Sequence, residues 1–277
     1  MHCTAILDAP VSWLSHSTSI KQNGSHAIFL YKTPPSLSLD QFERLIDGLM
    51  DEVVVLPVIQ ENLNKMDMIF QTDTVDNQAA AFGFPPRDQI VVAVGRSETV
   101  AQWSAVMQSP DVRALFNKGK AFGLDNCASL SAIDLYSAQA VSSTTGVNLN
   151  NAYHLFFAYN VPSDLATSKT HDLDFNEFLE GFLKVPVVQK NVVDLKLWKY
   201  SSELDDSIGD FGYSRCRTLL SCATVENEDN LMEIMNDPAA QQYVLDSSEL
   251  GGGGDKQFNL KKNGYMFTGN FESKFAT

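Results

Sequence analysis

One phrase occurs twice in this chain. Leu56 to Lys65 reads LPVIQENLNK, and Val185 to Asp194 reads VPVVQKNVVD. Pro57, Val58, Gln60 and Asn62 recur as Pro186, Val187, Gln189 and Asn191, each 129 positions further on. A phrase repeated in order constrains the fold more than composition does, because a doubled unit must be able to pack against its own copy.

The rest of the chain answers at nearly the same spacing. HAIFLYKTP from His26 meets HLFFAYNVP from His154 at an offset of 128, with His26, Phe29, Tyr31 and Pro34 answered by His154, Phe157, Tyr159 and Pro162. Both stretches are aromatic, β-branched and closed by proline, the pattern of a strand. A helix follows in each copy, with Phe42, Leu45, Ile46 and Leu49, then Phe175, Phe178, Leu179 and Phe182, at helical spacing. Ser38 with Gln41, and Asp174 with Glu177, stand where capping residues open a helix. After the repeated phrase KMDMIFQ and DLKLWKY alternate as half-buried strands. Third strands are expected at QIVVAVG from Gln89 and CRTLLSCA from Cys216. Second helices run through Trp103, Val106 and Met107, and through Leu231, Ile234 and Met235. Pro110 and Pro238 interrupt them before one more short turn. Last strands fit SAIDLYS near Leu135 and GYMFTGN near Tyr265.

Each half therefore reads strand, helix, strand, strand, helix, strand, the split βαβ order. One half alone leaves an apolar sheet face uncovered, and a second sheet is the natural cover. The expected fold class is α+β: two tandem ferredoxin-like βαββαβ units packed sheet to sheet as a pseudo-dimeric α/β barrel. The boundaries expected are a leader segment at 1–25, a first repeat at 26–139, a linker at 140–152 and a second repeat at 153–277. The partnership is intramolecular, and a further homodimer stays open.

Charge narrows the partners. Lys and Arg total 20 against 34 Asp and Glu, a net charge of −14, which opposes the attraction that nucleic acid or an anionic membrane requires. No stretch approaches the roughly 20 apolar residues of a membrane helix, and the start of the chain lacks the form of a signal peptide. Cys3, Cys127, Cys216 and Cys222 lack metal or redox spacing. A cytoplasmic protein with reduced thiols is expected.

The doubled split βαβ order, with helices ending in SPDVRALF and DPAAQQYV, resembles the dimeric α/β-barrel superfamily, its EthD-like and stress-responsive members in particular. The resemblance covers about residues 26 to 270. It implies a small-molecule cavity in each half, between the sheet and its helices. It also implies a choice among cofactor-free monooxygenases, cyclases, decarboxylases, isomerases and haem enzymes, which fold alone does not make.

The repeated polar residues are the catalytic candidates. His26 and His154 suit general acid or base work, since imidazole titrates near neutral pH with little tuning. Tyr31 and Tyr159, with Asn62 and Asn191, suit hydrogen bonding to a developing enolate or phenolate oxygen. Trp198, Tyr200 and Phe157 are candidate substrate contacts, and with His154 and Tyr159 they favour the second half as the active one. The bland alternative for every repeated pair is a fold constraint.

These groups suit a cofactor-independent tailoring enzyme, a cyclase, decarboxylase or dehydratase, acting on a hydrophobic oxygenated substrate such as a polyketide, phenolic or terpenoid. One alternative keeps the fold and adds haem, with His26, His154 or His171 as axial ligand. Another is a non-enzymatic ligand-binding or stress-response protein. LDDSIGD, around Asp205, reads as a loop, and GGGGDK at Gly251 lacks the spacing of a phosphate loop. No metal site is expected.

Overall fold

Along every central strand, alternate residues go to different cores. The computed structural model describes residues 13–15, 24–85, 88–125, 127–140, 152–160, 177–211, 213–215, 218–247 and 264–276. In the N-terminal half the elements are β1 (Trp13–Ser15), β2 (Ser25–Lys32), α1 (Leu39–Val54), α2 (Pro57–Asn62), β3 (Lys65–Thr72), α3 (Asp76–Ala79, continued by a 3-10 turn at Ala80–Phe82), β4 (Ile90–Ser97), α4 (Val100–Gln108), α5 (Pro110–Gly119) and β5 (Cys127–Ala140). In the C-terminal half they are β6 (Tyr153–Asn160), α6 (177–182), α7 (Pro186–Asn191), β7 (Val192–Tyr200), α8 (Asp205–Phe211), β8 (Ser214–Arg215), β9 (Thr218–Val225), α9 (Glu228–Asn236), α10 (Pro238–Ser247) and β10 (Gly264–Ala276).

The sheet runs β5–β2–β4–β3–β10–β6–β9–β7, and β7 pairs back onto β5, so eight strands close a ring in which every step is antiparallel. Numbering the four strands of each half in chain order gives the same sequence, 4-1-3-2, twice. Closure leaves none of the eight with an open edge. The fold is the α+β barrel expected, with helices outside.

Ile28 and Leu30 of β2, Val92 of β4, Phe156 and Ala158 of β6, Leu220 of β9 and Phe267 of β10 fill the barrel interior. The intervening residues face outward. Ala27, Phe29 and Tyr31 lie against α1, α4 and α5, while Leu155, Phe157 and Tyr159 lie against α6, α9 and α10. The helices form where the caps put them. Ser38 and Gln41 make a reciprocal capping box on α1, and Thr99 with Gln102 does the same on α4.

Each outer layer is completed by the other half. Val75, Ala79, Phe82 and Phe84, between β3 and β4, pack into the core of the second half, with Phe84 and Phe157 ring centroids 6.0 Å apart. Reciprocally Leu204, Ile208 and Tyr213 of the second half pack into the core of the first. Tyr213 meets Phe29 edge-on at 5.8 Å, and Phe211 meets Phe116 at 5.0 Å.

Two local expectations are corrected. Pro110 and Pro238 open full ten-residue helices, not single short turns. Proline suits the first helical position because its missing amide is unpaired there anyway, and Ser109 and Asp237 cap behind it. LDDSIGD is not a loop: α8 occupies it, with Ile208 burying the apolar face. Part of the leader is ordered, with Trp13–Ser15 pairing onto Ala138–Ala140. The Asp174 cap, His171, most of the 140–152 linker and GGGGDK lie outside the described residues. Among those described, no helix is long and apolar enough to cross a membrane.

Candidate functional site

The antiparallel ring fixes where the repeated histidines go. From β2 to β6 is four strand steps in either direction around the barrel, so the two strands run the same way on opposite walls. His26 and His154 are each the second residue of their strand. Both share the inward face with the apolar filling, His26 with Ile28 and Leu30, and His154 with Phe156 and Ala158. Both therefore stand at the same mouth of one barrel, on opposite walls.

The registers bring partners to that mouth. His26 lies opposite Arg96, which lies opposite Lys65. In the other half His154 lies opposite Thr224, which lies opposite Asp194. One step further in, Val94 is flanked by Ile28 and Asp67, and Cys222 by Phe156 and Lys196. Polar and charged side chains thus gather at this end of the interior, as Gln71 and Thr218 do toward the other, with apolar filling between. An eight-stranded barrel is just wide enough for its side chains to fill, so opposing walls act on the same small volume.

Below the mouth the floor is aromatic. Phe156 stacks on Phe267 with centroids 4.8 Å apart, and Phe271 meets the His154 ring edge-on at 4.6 Å. Gly269, the cross-strand partner of His154, lets Ile69 pack closely against the strand: a Cβ there would sit 2.6 Å from Ile69 Cγ2.

His154 Nδ1 lies 3.1 Å from the Thr224 hydroxyl and 4.0 Å from Cys222 Sγ. Burial, helped by the Lys196 ammonium, pulls its pKa down to about 4. The ring is therefore neutral at physiological pH, which corrects the expectation that it titrates near 7. Cys222 is held as a thiol, with its pKa pushed up to about 12 by burial. The Lys–Asp pairs of the two walls differ. Lys65 binds Asp67 at 2.7 Å, whereas Lys196 and Asp194 stand 3.7 Å apart.

A stability prediction follows for His154, whose surroundings include Lys196, Asp194 and Cys222. Its folded pKa is below the unfolded value near 6.5, so the unfolded chain binds more protons between the two. The stability it contributes is complete above pH 6.5 and is lost as pH falls toward 4, on the order of 2–3 kcal/mol. Urea midpoints at pH 7.5 and 4.5 should fall further apart for the native chain than for His154→Gln. Equal separations would show that the ring carries no such penalty.

The other candidates are dispersed. Tyr31 and Tyr159 face the outer helix layers and are fully buried there. Tyr31 packs edge-on against Tyr213 at 6.4 Å, and burial holds both phenols well above their ordinary pKa. Asn62 and Asn191 end α2 and α7, where each side-chain amide donates back to a carbonyl of its own helix, Val58 at 2.8 Å and Val187 at 3.0 Å. Asn191 also donates to Glu233 at 3.0 Å. Phe157 lies in the second outer layer between Phe84 and Phe182. Trp198 fills the barrel interior, and Tyr200 stands toward the opposite mouth, its hydroxyl donating to Asp205. Arg96, Lys65, Asp67, Lys196 and Thr224 were not expected from the sequence. For Lys65, Asp67 and Lys196 the signal was the alternation in KMDMIFQ and DLKLWKY, where the polar positions point inward.

A haem between sheet and helices would need an axial ligand there. Neither His26 nor His154 faces that layer, and His171 lies outside the described residues. Among the residues described, no cluster of three or more His, Cys, Asp or Glu could hold a metal ion.

No protein-family model matches the chain, and no curated protein matches it. Solved structures do. An anthrone oxidase-like protein aligns with a TM-score of 0.56 at 10% identity, over 96% of this chain and 99% of its own. A protein of Fusobacterium nucleatum subsp. nucleatum named for monooxygenase activity aligns with a TM-score of 0.51 at 6% identity, over 93% and 98%. These likenesses support the dimeric α+β barrel fold.

Proposed function

We propose that this chain is a cofactor-independent enzyme acting by acid–base chemistry on a hydrophobic, oxygen-bearing small molecule at the histidine mouth of the barrel. The observation that carries the reading is the placement of two inward-facing histidines on opposite walls of the same mouth, beside the aromatic cluster of Phe156, Phe267 and Phe271. The shared step would be proton removal beside a carbonyl or phenol, giving an enolate or phenolate. Cyclisation, decarboxylation and dehydration can all start from it. The name of one solved neighbour, an anthrone oxidase-like protein, adds oxygenated aromatics as a substrate class.

In this reading the histidines differ in role. His154, neutral and fixed by Thr224, donates a hydrogen bond to the developing oxyanion, as a neutral imidazole can when its pKa is low. His26 on the facing wall takes the proton. The floor formed by Phe156, Phe267 and Phe271 holds the apolar body and keeps water out. We also propose that the two halves descend from a doubled ancestral unit, with boundaries near 26–139 and 153–277, on the strength of the shared phrase and strand order. Cys127 and Cys222, buried and not joined in a disulfide, support a reducing, cytoplasmic setting.

Anthrone, whose ring CH2 protons are acidic, is the test substrate. Deuterium uptake at that carbon, followed by proton NMR in D2O buffer, should run faster with the protein than in buffer alone. No acceleration with anthrone, or with a 1,3-diketone of similar size, would overturn the reading. A haem absorption band in the purified protein would replace it with the haem alternative.

A further inference from the structure

The structure assigns an oxyanion subsite to one wall of the mouth, built from His154, Lys196 and Thr224, that takes the phenolate or enolate oxygen of an aromatic ligand. The assignment deepens the function proposed above and rests on it. It turns on a difference between two walls that the fold otherwise makes equivalent.

On the first wall the deeper charged position is Asp67, beside Val94, and the outer one is Lys65. On the second wall the order is reversed: Lys196 is deeper, beside Cys222, and Asp194 is outer. The first pair is closed, with 2.7 Å between Lys65 Nζ and Asp67 Oδ2, and Asp67 is buried. That ammonium is already occupied by a carboxylate. The second pair is loose at 3.7 Å, and the Lys196 side chain keeps 54% of its surface exposed. An ammonium so placed reaches an incoming anion with little to break.

His154 supplies the second donor. Its Nδ1 faces the Thr224 hydroxyl at 3.1 Å, so that hydroxyl can donate to Nδ1 while the ring keeps its proton on Nε2. Among the described residues no hydrogen bond engages Nε2. A cation and a neutral N–H thus sit on one wall near the mouth, with the Phe271 ring centroid 4.6 Å from that of the imidazole to lie beside an aromatic ring. An ammonium and a neutral N–H side by side stabilise an oxyanion more than the neutral phenol, because both interact more strongly with charge than with a dipole. Asp194, the less exposed member of the pair, repels an anion from the same row, so the subsite holds only where the oxyanion lies nearer the Lys196 ammonium than the carboxylate. A phenol docked here should therefore ionise more readily than in water, and a neutral ether should gain nothing from Lys196.

The probe is 4-nitrophenol, whose phenolate absorbs visibly, with 4-nitroanisole as its neutral counterpart. Added protein should raise the phenolate fraction at fixed pH, lowering the apparent pKa of the bound phenol by about one unit, as an opposite charge at contact distance does. Lys196→Met should remove most of that shift, Lys196→Arg should keep it, and Lys65→Met should leave it in place. Lys196 is half exposed, so both of its variants should fold. An unchanged shift in Lys196→Met, or an equal loss in Lys65→Met, overturns the subsite. The ring-proton NMR signals of His26 and His154 separate this failure from that of the proposed function. If 4-nitroanisole moves both signals and 4-nitrophenol shows no added ionisation, the mouth binds aromatics and the oxyanion subsite is wrong. If neither compound moves them, the mouth is no binding site and both proposals fall.

Discussion

Expressed separately, residues 1–140 and 141–277 should each fail to give a folded monomer, while the two expressed together should assemble into a one-to-one complex with the barrel restored. Cutting between the halves opens two ladders at once, β3 against β10 and β5 against β7. Each fragment would expose two unpaired strand edges and the inner half of an apolar interior, surfaces that drive association. The reciprocal insertion adds to the cost. The first fragment loses Leu204, Ile208 and Tyr213 from its outer layer, and the second loses Val75, Phe82 and Phe84. Deleting one such buried side chain costs about 2–5 kcal/mol, and whole domains are stable by only about 5–15 kcal/mol. Light scattering and thermal melts decide the matter. A cooperatively melting monomer from either fragment would show that the halves are independent domains that merely touch.

The strand order was legible because the repeat supplied it. HAIFLYK and HLFFAYN declare themselves as strands by composition, and a βαββαβ order admits few packings. The insertion of one half into the other was not legible. Residues 73–88 and 201–213 have no period of their own, and α3 and α8 are short helices held by tertiary packing, with propensity contributing little. Phe82 and Phe84 look like ordinary loop aromatics until the barrel closes and gives them a core to enter. The prolines misled for a related reason. Pro110 and Pro238 do end the helix before them, and the sequence does not say how long the next one runs.

The site was legible in its residue types and not in its grouping. Repetition singled out histidines, tyrosines and asparagines equally, since a repeat preserves fold constraints as readily as chemistry. Strand parity separates them. His26 and Tyr31 are an odd number of positions apart, so on one strand they must face opposite sides, and the same holds for His154 and Tyr159. That parity was present in the sequence. Which side was the shared interior, and therefore that the two histidines face one mouth, needed the closed ring of strands. Lys65, Asp67, Asp194 and Lys196 sit at inward positions of β3 and β7 that a half-buried strand would ordinarily give to solvent. Their alternation looked like a polar outer face, and barrel closure makes it an inner one.

Substitution of the two histidines should then give unequal results that reveal their roles in anthrone deuterium exchange. If His26 accepts the proton, both His26→Ala and His26→Gln should lose about a hundredfold or more, because neither replacement is basic. If His154 acts as a neutral donor, His154→Ala should cost about 10²-fold, the usual range for one oxyanion donor. His154→Gln should recover most of that loss, since an amide N–H can donate in its place. The pH profile gives an independent reading. His154 stays neutral until about pH 4, so between pH 8 and 5 the native chain and His154→Gln should share one profile, displaced only in amplitude. Near-ultraviolet circular dichroism on each variant checks that the barrel persists. Equal and mild losses from His26 and His154 substitutions, with the spectrum intact, would mean that these residues hold the strand ends in place, and the chemistry would have to be sought in the outer layers around Tyr31 and Tyr159.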